Sequence, residues 1–74
     1  MSKIIYTEKY EFFLDRLKKA RIEKGLTQVD VANALGKHQS YVTKCENGER
    51  RVDVIELAQL AHLYEKPLDY FVEE

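Results

Sequence analysis

The stretch Thr27–Gly48, TQVDVANALGKHQSYVTKCENG, holds two short helical patterns on either side of a glycine. Thr27 followed three residues later by Asp30 has the spacing of a capping box, although Asp is shorter than the usual Glu. A helix is therefore expected from Gln28 to about Leu35, with Val31, Ala32 and Leu35 inward. Ala32 is small where two helices must come close. Gly36 tolerates positive φ, so the chain can end this helix and turn within about three residues. A second helix follows, Gln39 to about Glu46, with only Val42 and Cys45 as a clear inward stripe. Its other positions, Gln39, Ser40, Tyr41, Thr43 and Lys44, are hydrogen-bonding or amphipathic. Such a helix is too polar to exist for its packing alone, and Asn47-Gly48 ends it as a turn.

Working outward, Tyr10, Phe13, Leu14, Leu17 and Ala20 mark one face of an amphipathic helix over about 8–24. Thr7 suits its N-cap and Gly25 its stop. Asp53 is placed to cap a further helix, whose expected buried side is Val54, Leu57, Ala58, Leu60 and Ala61. Pro67 suits the first position of a short fifth helix, with Leu68, Phe71 and Val72 docking back on the core. Residues 1–7, MSKIIYT, have a β-like apolar run and no helical period, and read as an arm. The expected architecture is all-α: a compact five-helix bundle over 8–74 behind a short extended N-terminal arm.

The chain has 74 residues, 45% of them hydrophobic, enough for one small core. Cys45 is the single cysteine, which excludes an internal disulfide and a cysteine-based zinc cage and suits a reducing compartment. No signal peptide and no apolar run of the roughly 18 residues that span a bilayer is present, so a cytoplasmic protein with no membrane partner is expected. A net charge of −1 hides a strong polarity. Residues 16–51 carry nine Lys and Arg against four Asp and Glu, whereas residues 52–74 carry one Lys against six acidic side chains. Local field, rather than total charge, steers a polyanion to a surface.

The 37–50 segment contains His38, Ser40, Cys45 and Glu46, letters that also occur in catalytic and metal sites. A Cys–His nucleophile pair must lie within hydrogen-bond reach, but His38 and Cys45 are seven residues apart, about 10 Å along a helix. Cys45 shares its face with Val42, where a buried thiol behaves as a small hydrophobe. His38, His62 and Cys45 have no metal-ligand spacing, and His62, in LAHLY, reads as a half-buried helix-face histidine. No phosphate-binding or nucleophile-elbow motif occurs. No enzyme activity, metal or cofactor is expected. A helix in the major groove, by contrast, needs donors and acceptors clustered at its N-terminal end. Gln39 can pair with adenine, Ser40 with several bases, and Lys44 with guanine or a phosphate. Lys37 and His38, in the turn, are placed for phosphates.

The residues from Leu17 to Phe71 resemble the phage-repressor-like, xenobiotic-response-element type helix-turn-helix family, the fold of lambda-repressor-like DNA-binding domains. The landmarks are Arg21, Leu26-Thr27-Gln28, Ala32, Gly36, Val42 and Glu46-Asn47-Gly48, all at the family's spacing. The resemblance implies a sequence-specific transcriptional regulator, bound to double-stranded DNA as a homodimer through the helix at about 39–46. It implies that Gln28 bonds a phosphate and braces the first residue of that helix. Gln39, Ser40 and Lys44 become the principal groove contacts, with Tyr41 and Thr43 at the rim. Arg21 and Glu46 match a largely buried salt bridge. Arg50 and Arg51 reach phosphates or the minor groove, or else Arg50 and Arg51 pair within the loop with Glu49 or Asp53. His38 stands where the family more often has Ser or Thr, a better N-cap, and Cys45 where it has a larger apolar residue. No small-molecule effector is expected, because the sequence stops after the DNA-binding domain. The rival reading is a protein-interaction module of the same fold, an antitoxin or accessory subunit whose acidic C-terminal half grips a basic partner.

Overall fold

The computed structural model describes residues 7–73. Four α-helices and one 3-10 turn make up its regular structure: α1 Glu8–Glu23, α2 Gln28–Leu35, α3 Gln39–Asn47, α4 Val54–Tyr64, then the turn Leu68–Phe71. Among the described residues there is no strand, and no helix is long and apolar enough to cross a membrane. The arm expected over residues 1–7 lies outside the described residues except for Thr7, whose hydroxyl accepts the Tyr10 N–H and caps α1.

Each expected cap is formed by local chemistry. Thr27 and Asp30 make the reciprocal capping box of α2, as Asp53 and Glu56 do for α4. The Thr27 amide and hydroxyl hold the Asp30 carboxyl below its usual range. Gly36 ends α2 at φ 68°, a left-handed conformation in which a Cβ would be strained. The Lys37 N–H then reaches back 2.9 Å to the Ala32 carbonyl, which completes the reversal into α3.

One core serves all the elements. Phe71, Leu17 and Val31 are its largest fully buried side chains, joined by Phe13, Leu14, Ala20, Ala32, Val42, Leu60, Ala61 and Tyr64. Leu35 and Leu57 pack against it from the edge. Ala20 and Ala32 are almost wholly buried, so the small residues sit where the helices approach. The charged ends are tied by Lys66 to Glu23 at 2.9 Å and by Lys24 to Glu65.

The fifth helix is corrected to a single 3-10 turn, and Pro67 precedes that turn instead of opening a helix. Four residues are too few for an α-helical apolar face, so buried Phe71 and half-buried Tyr70 anchor it while Leu68 and Val72 are 47% and 59% exposed. The inner face of α4 is rotated from the expected one. Val54 and Ala58 are exposed, and Leu60, Ala61 and Tyr64 are buried. Tyr64 joins the buried side, where it lines a small space beneath α3 with Val42, Cys45 and Glu46, and burial pushes its phenol pKa upward. His62 is exposed, not half-buried. Phe71→Ala is expected to cost about 3–5 kcal/mol, a large part of the stability of so small a domain. Val72→Ala should leave the thermal midpoint nearly unchanged; paired thermal melts check both.

Candidate nucleic-acid interface

The site is built from α3 and the means by which it is held. Val42 and Cys45 are its apolar anchors, at 3% and 2% exposure. Burial pushes the Cys45 thiol up, which keeps it protonated and unreactive. Two small anchors do not fix the orientation of a nine-residue helix. The rest comes from a buried carboxylate, Glu46, the most buried charged residue among those described.

Arg21 on α1 meets Glu46 in a forked contact, Nε donating to Oε2 at 2.7 Å and Nη2 to Oε1 at 3.2 Å. A third guanidinium N–H goes to the Leu26 carbonyl at 3.0 Å, which pins the α1–α2 connection as well. The hydrogen bond from the Glu46 carboxylate raises the already high Arg21 pKa against the opposing effect of burial. Gln28, the first residue of α2, adds its amide. Nε2 donates to Glu46 Oε1 at 3.0 Å, and Oε1 accepts from the Thr43 hydroxyl at 2.6 Å. The four side chains join α1, α2 and α3 through one hydrogen-bonded cluster.

This alters two expected roles. The side-chain bonds of Gln28 go to Thr43 and Glu46, so it braces the middle and end of α3 and not Gln39. Thr43 is half-buried and serves that brace. His38, expected to cap poorly, does cap: its Nδ1 accepts the Ser40 N–H at 3.2 Å, with the Ser40 hydroxyl 3.1 Å away. That acceptor role places the proton of the neutral ring on Nε2.

The outward side of α3 carries what remains. Lys37, His38, Gln39, Ser40 and Lys44 are exposed. A shallow concavity runs along this face, lined by His38, Gln39, Ser40, Thr43, Lys44, Asn47 and Glu49. Asn47 and Glu49 were not among the expected contacts; the signal for Asn47 was its position seven residues after Ser40, on the same helical strip. Tyr41 is not at that rim. It is half-buried against the core, and burial pushes its phenol pKa upward with Glu56 and Cys45 adding to the shift.

Arg50 pairs with Glu56 at 2.9 Å, not with Glu49 or Asp53, because Glu56 already faces the loop from the capping box of α4. It also donates to the Arg51 carbonyl at 3.1 Å, while Arg51 itself is exposed. The Arg50 guanidinium, then burial and the Asp53 amide, act on Glu56, whose pKa lies below its usual value. Among the described residues, no group of three His, Cys, Asp or Glu side chains is placed to hold a metal ion.

The helix-turn-helix family model matches residues 17–71, and the chain belongs to that family. It is 41% identical over 56 residues to the HTH-type transcriptional regulator PrpR of Mycobacterium tuberculosis, covering 76% of this chain and 12% of PrpR. It is 51% identical over 39 residues to the uncharacterized HTH-type transcriptional regulator YqaF of Bacillus subtilis, covering 53% of this chain and 51% of YqaF. The match thus spans a small fraction of the first relative and about half of the second. Among solved structures, the restriction-modification controller protein C.AhdI from Aeromonas hydrophila superposes with a TM-score of 0.73 at 32% identity, covering 81% of this chain and 91% of that one. The DNA-binding domain of BldD superposes with a TM-score of 0.78 at 26% identity, covering 92% and 99%.

Removing either member of the Arg21–Glu46 pair leaves a buried charge without its partner. Arg21→Ala and Glu46→Ala should each cost about 3–5 kcal/mol, while the double variant Arg21→Met/Glu46→Met should cost much less than their sum. Denaturant titrations of the three proteins measure this. The Arg50–Glu56 pair adds a pH dependence of known sign. A depressed carboxylate pKa gives stability that is present above the unfolded value of about 4.3 and is lost as pH falls through the folded value. Arg50→Met should therefore flatten the acid limb of the melting-temperature profile below about pH 4.3 and change its shape little near neutrality.

Proposed function

We propose that this member of the helix-turn-helix family is a sequence-specific DNA-binding transcriptional regulator that sets α3 in the major groove. The observation that carries the reading is the division of α3 into two faces. One face is spent on the core and on the Arg21–Gln28–Thr43–Glu46 cluster. The other presents Gln39, Ser40 and Lys44 to solvent from a helix that is rigidly held. Side chains read base edges well only when their helix cannot rock, since each contact requires defined hydrogen-bond geometry.

In this arrangement Gln39 pairs with an adenine edge, Ser40 bonds an adjacent base, and Lys44 reaches guanine or a phosphate. Lys37, His38 through its Nε2–H, and Arg51 bind phosphates around the groove, and Arg50 joins them from the loop. Gln28, Tyr41 and Thr43 support these contacts from beneath. One domain of this size presents a single short reading helix, so a two-fold homodimer on a palindromic operator, with half-sites about one helical turn apart, supplies the remaining affinity and specificity. PrpR and YqaF, both called transcriptional regulators, support the regulatory part of this reading, and the DNA-binding domain of BldD supports the partner.

Selection from a random duplex pool tests it. A symmetric motif with half-site centres about 10 base pairs apart is expected. Equal binding to selected and random duplexes at about 150 mM salt would end the reading. On the selected duplex, Gln39→Ala should relax preference at one position by about 1–3 kcal/mol, whereas Lys37→Ala should weaken all duplexes alike and reduce the salt slope by about 1.

A further inference from the structure

Tyr41 stands out among the residues of α3. Its ring is half-buried against the core, yet two cations from outside the helix converge on it. Lys37 Nζ lies 5.2 Å from the ring centre and the Arg50 guanidinium carbon 4.7 Å from it. Lys37 precedes the first residue of α3 by two positions and Arg50 follows its last by three, so the ring gathers charges from both ends of the helix. Arg50 is further fixed by Glu56 and by the Arg51 carbonyl, whereas Lys37 is exposed with the ring as its neighbour.

We propose that Tyr41 is a positioning residue, whose ring holds Lys37 and Arg50 as a two-point clamp for the phosphates of one DNA strand. The proposal rests on the DNA-binding reading above and assigns Tyr41 a role that neither base contact nor rim packing describes. The aromatic quadrupole attracts a cation without neutralising it, so each charge remains available to an anion. Two cations held over one ring are at most ~10 Å apart. Adjacent phosphates on one strand lie farther apart than their axial rise of roughly 3.4 Å, because the backbone also winds around the axis, and they fall within that reach. A lysine and an arginine already ordered lose less side-chain entropy when they meet phosphate than free ones do. Glu56 keeps Arg50 from collapsing elsewhere and leaves the local balance of Lys37, Arg50 and Glu56 positive.

The clamp ignores base sequence, so a fluorescein-labelled duplex of random sequence serves as the probe. Anisotropy titrations between about 50 and 200 mM salt compare the full chain with Tyr41→Phe and Tyr41→Leu, after thermal melts establish that each is folded. Tyr41→Phe keeps the ring and should retain the affinity and salt slope. Tyr41→Leu should bind about five- to hundredfold more weakly at the low-salt end, because two cationic side chains must then be ordered on binding, with a slope shallower by about 1–2. Unchanged binding by Tyr41→Leu, or an equal loss in Tyr41→Phe, overturns the clamp while the DNA reading stands. Failure of the unaltered chain to bind any duplex overturns both. A measurement on the unaltered chain needs no variant: the Lys37 ε-methylene protons should be shifted upfield by the ring relative to those of Lys44, and identical shifts would also overturn the proposal.

Discussion

Glu46 is a carboxylate enclosed in a domain with a single small core, and the arrangement of the helices follows from how it is satisfied. A buried charge is tolerated only when it is paired and its lone pairs are filled. Arg21 supplies two N–H groups and Gln28 a third, so the end of α3 can sit in one place relative to α1 and α2. Hydrophobic contact alone is less directional than hydrogen bonding, and Val42 and Cys45 are both small. The polar cluster adds direction to the packing.

That division of labour explains the composition of α3. With orientation fixed by Glu46, Gln28 and Thr43, the helix needs few apolar residues, and its outer strip is free to be polar. The short side chain of Cys45 is tolerated for the same reason, because a larger anchor is not needed to hold the helix down. Tyr41 fills part of the space between α3 and α4, with the Lys37 and Arg50 charges above its ring. A core residue and an electrostatic surface thus share one side chain.

Much of this was legible in the sequence, for local reasons. Thr7, Thr27 and Asp53 announced helix starts because capping depends on residues within one turn. Gly36 announced the turn because few other residues accept its φ. The 3.6-residue period of α1 gave its inner face without ambiguity. Less legible was α4, where Val54, Ile55, Leu57, Ala58, Leu60, Ala61 and Leu63 are apolar on nearly every side. Periodicity cannot orient such a helix, and in the structure its buried side is Leu60, Ala61 and Tyr64. The last element was expected as a helix because Pro67 is compatible with the start of a helix and with a 3-10 turn, and the residues after it do not separate the two. In the site, the Arg21–Glu46 pair was implied only by the family resemblance, and the structure forms it. The partners of Gln28 and Arg50 were not, since each depends on a side chain 15 or 6 residues away meeting it in three dimensions.

The outer strip of α3 as the DNA-facing surface is open to a direct measurement, an amide-resolved NMR titration of the isotope-labelled chain with the duplex obtained by selection. The largest shifts are expected at 37–44 and at 50–51, with the exposed side of α4 at Ile55, Ala58 and His62 changing less. Largest shifts on α4, with 37–44 unmoved, would contradict the assignment of α3 as the reading helix.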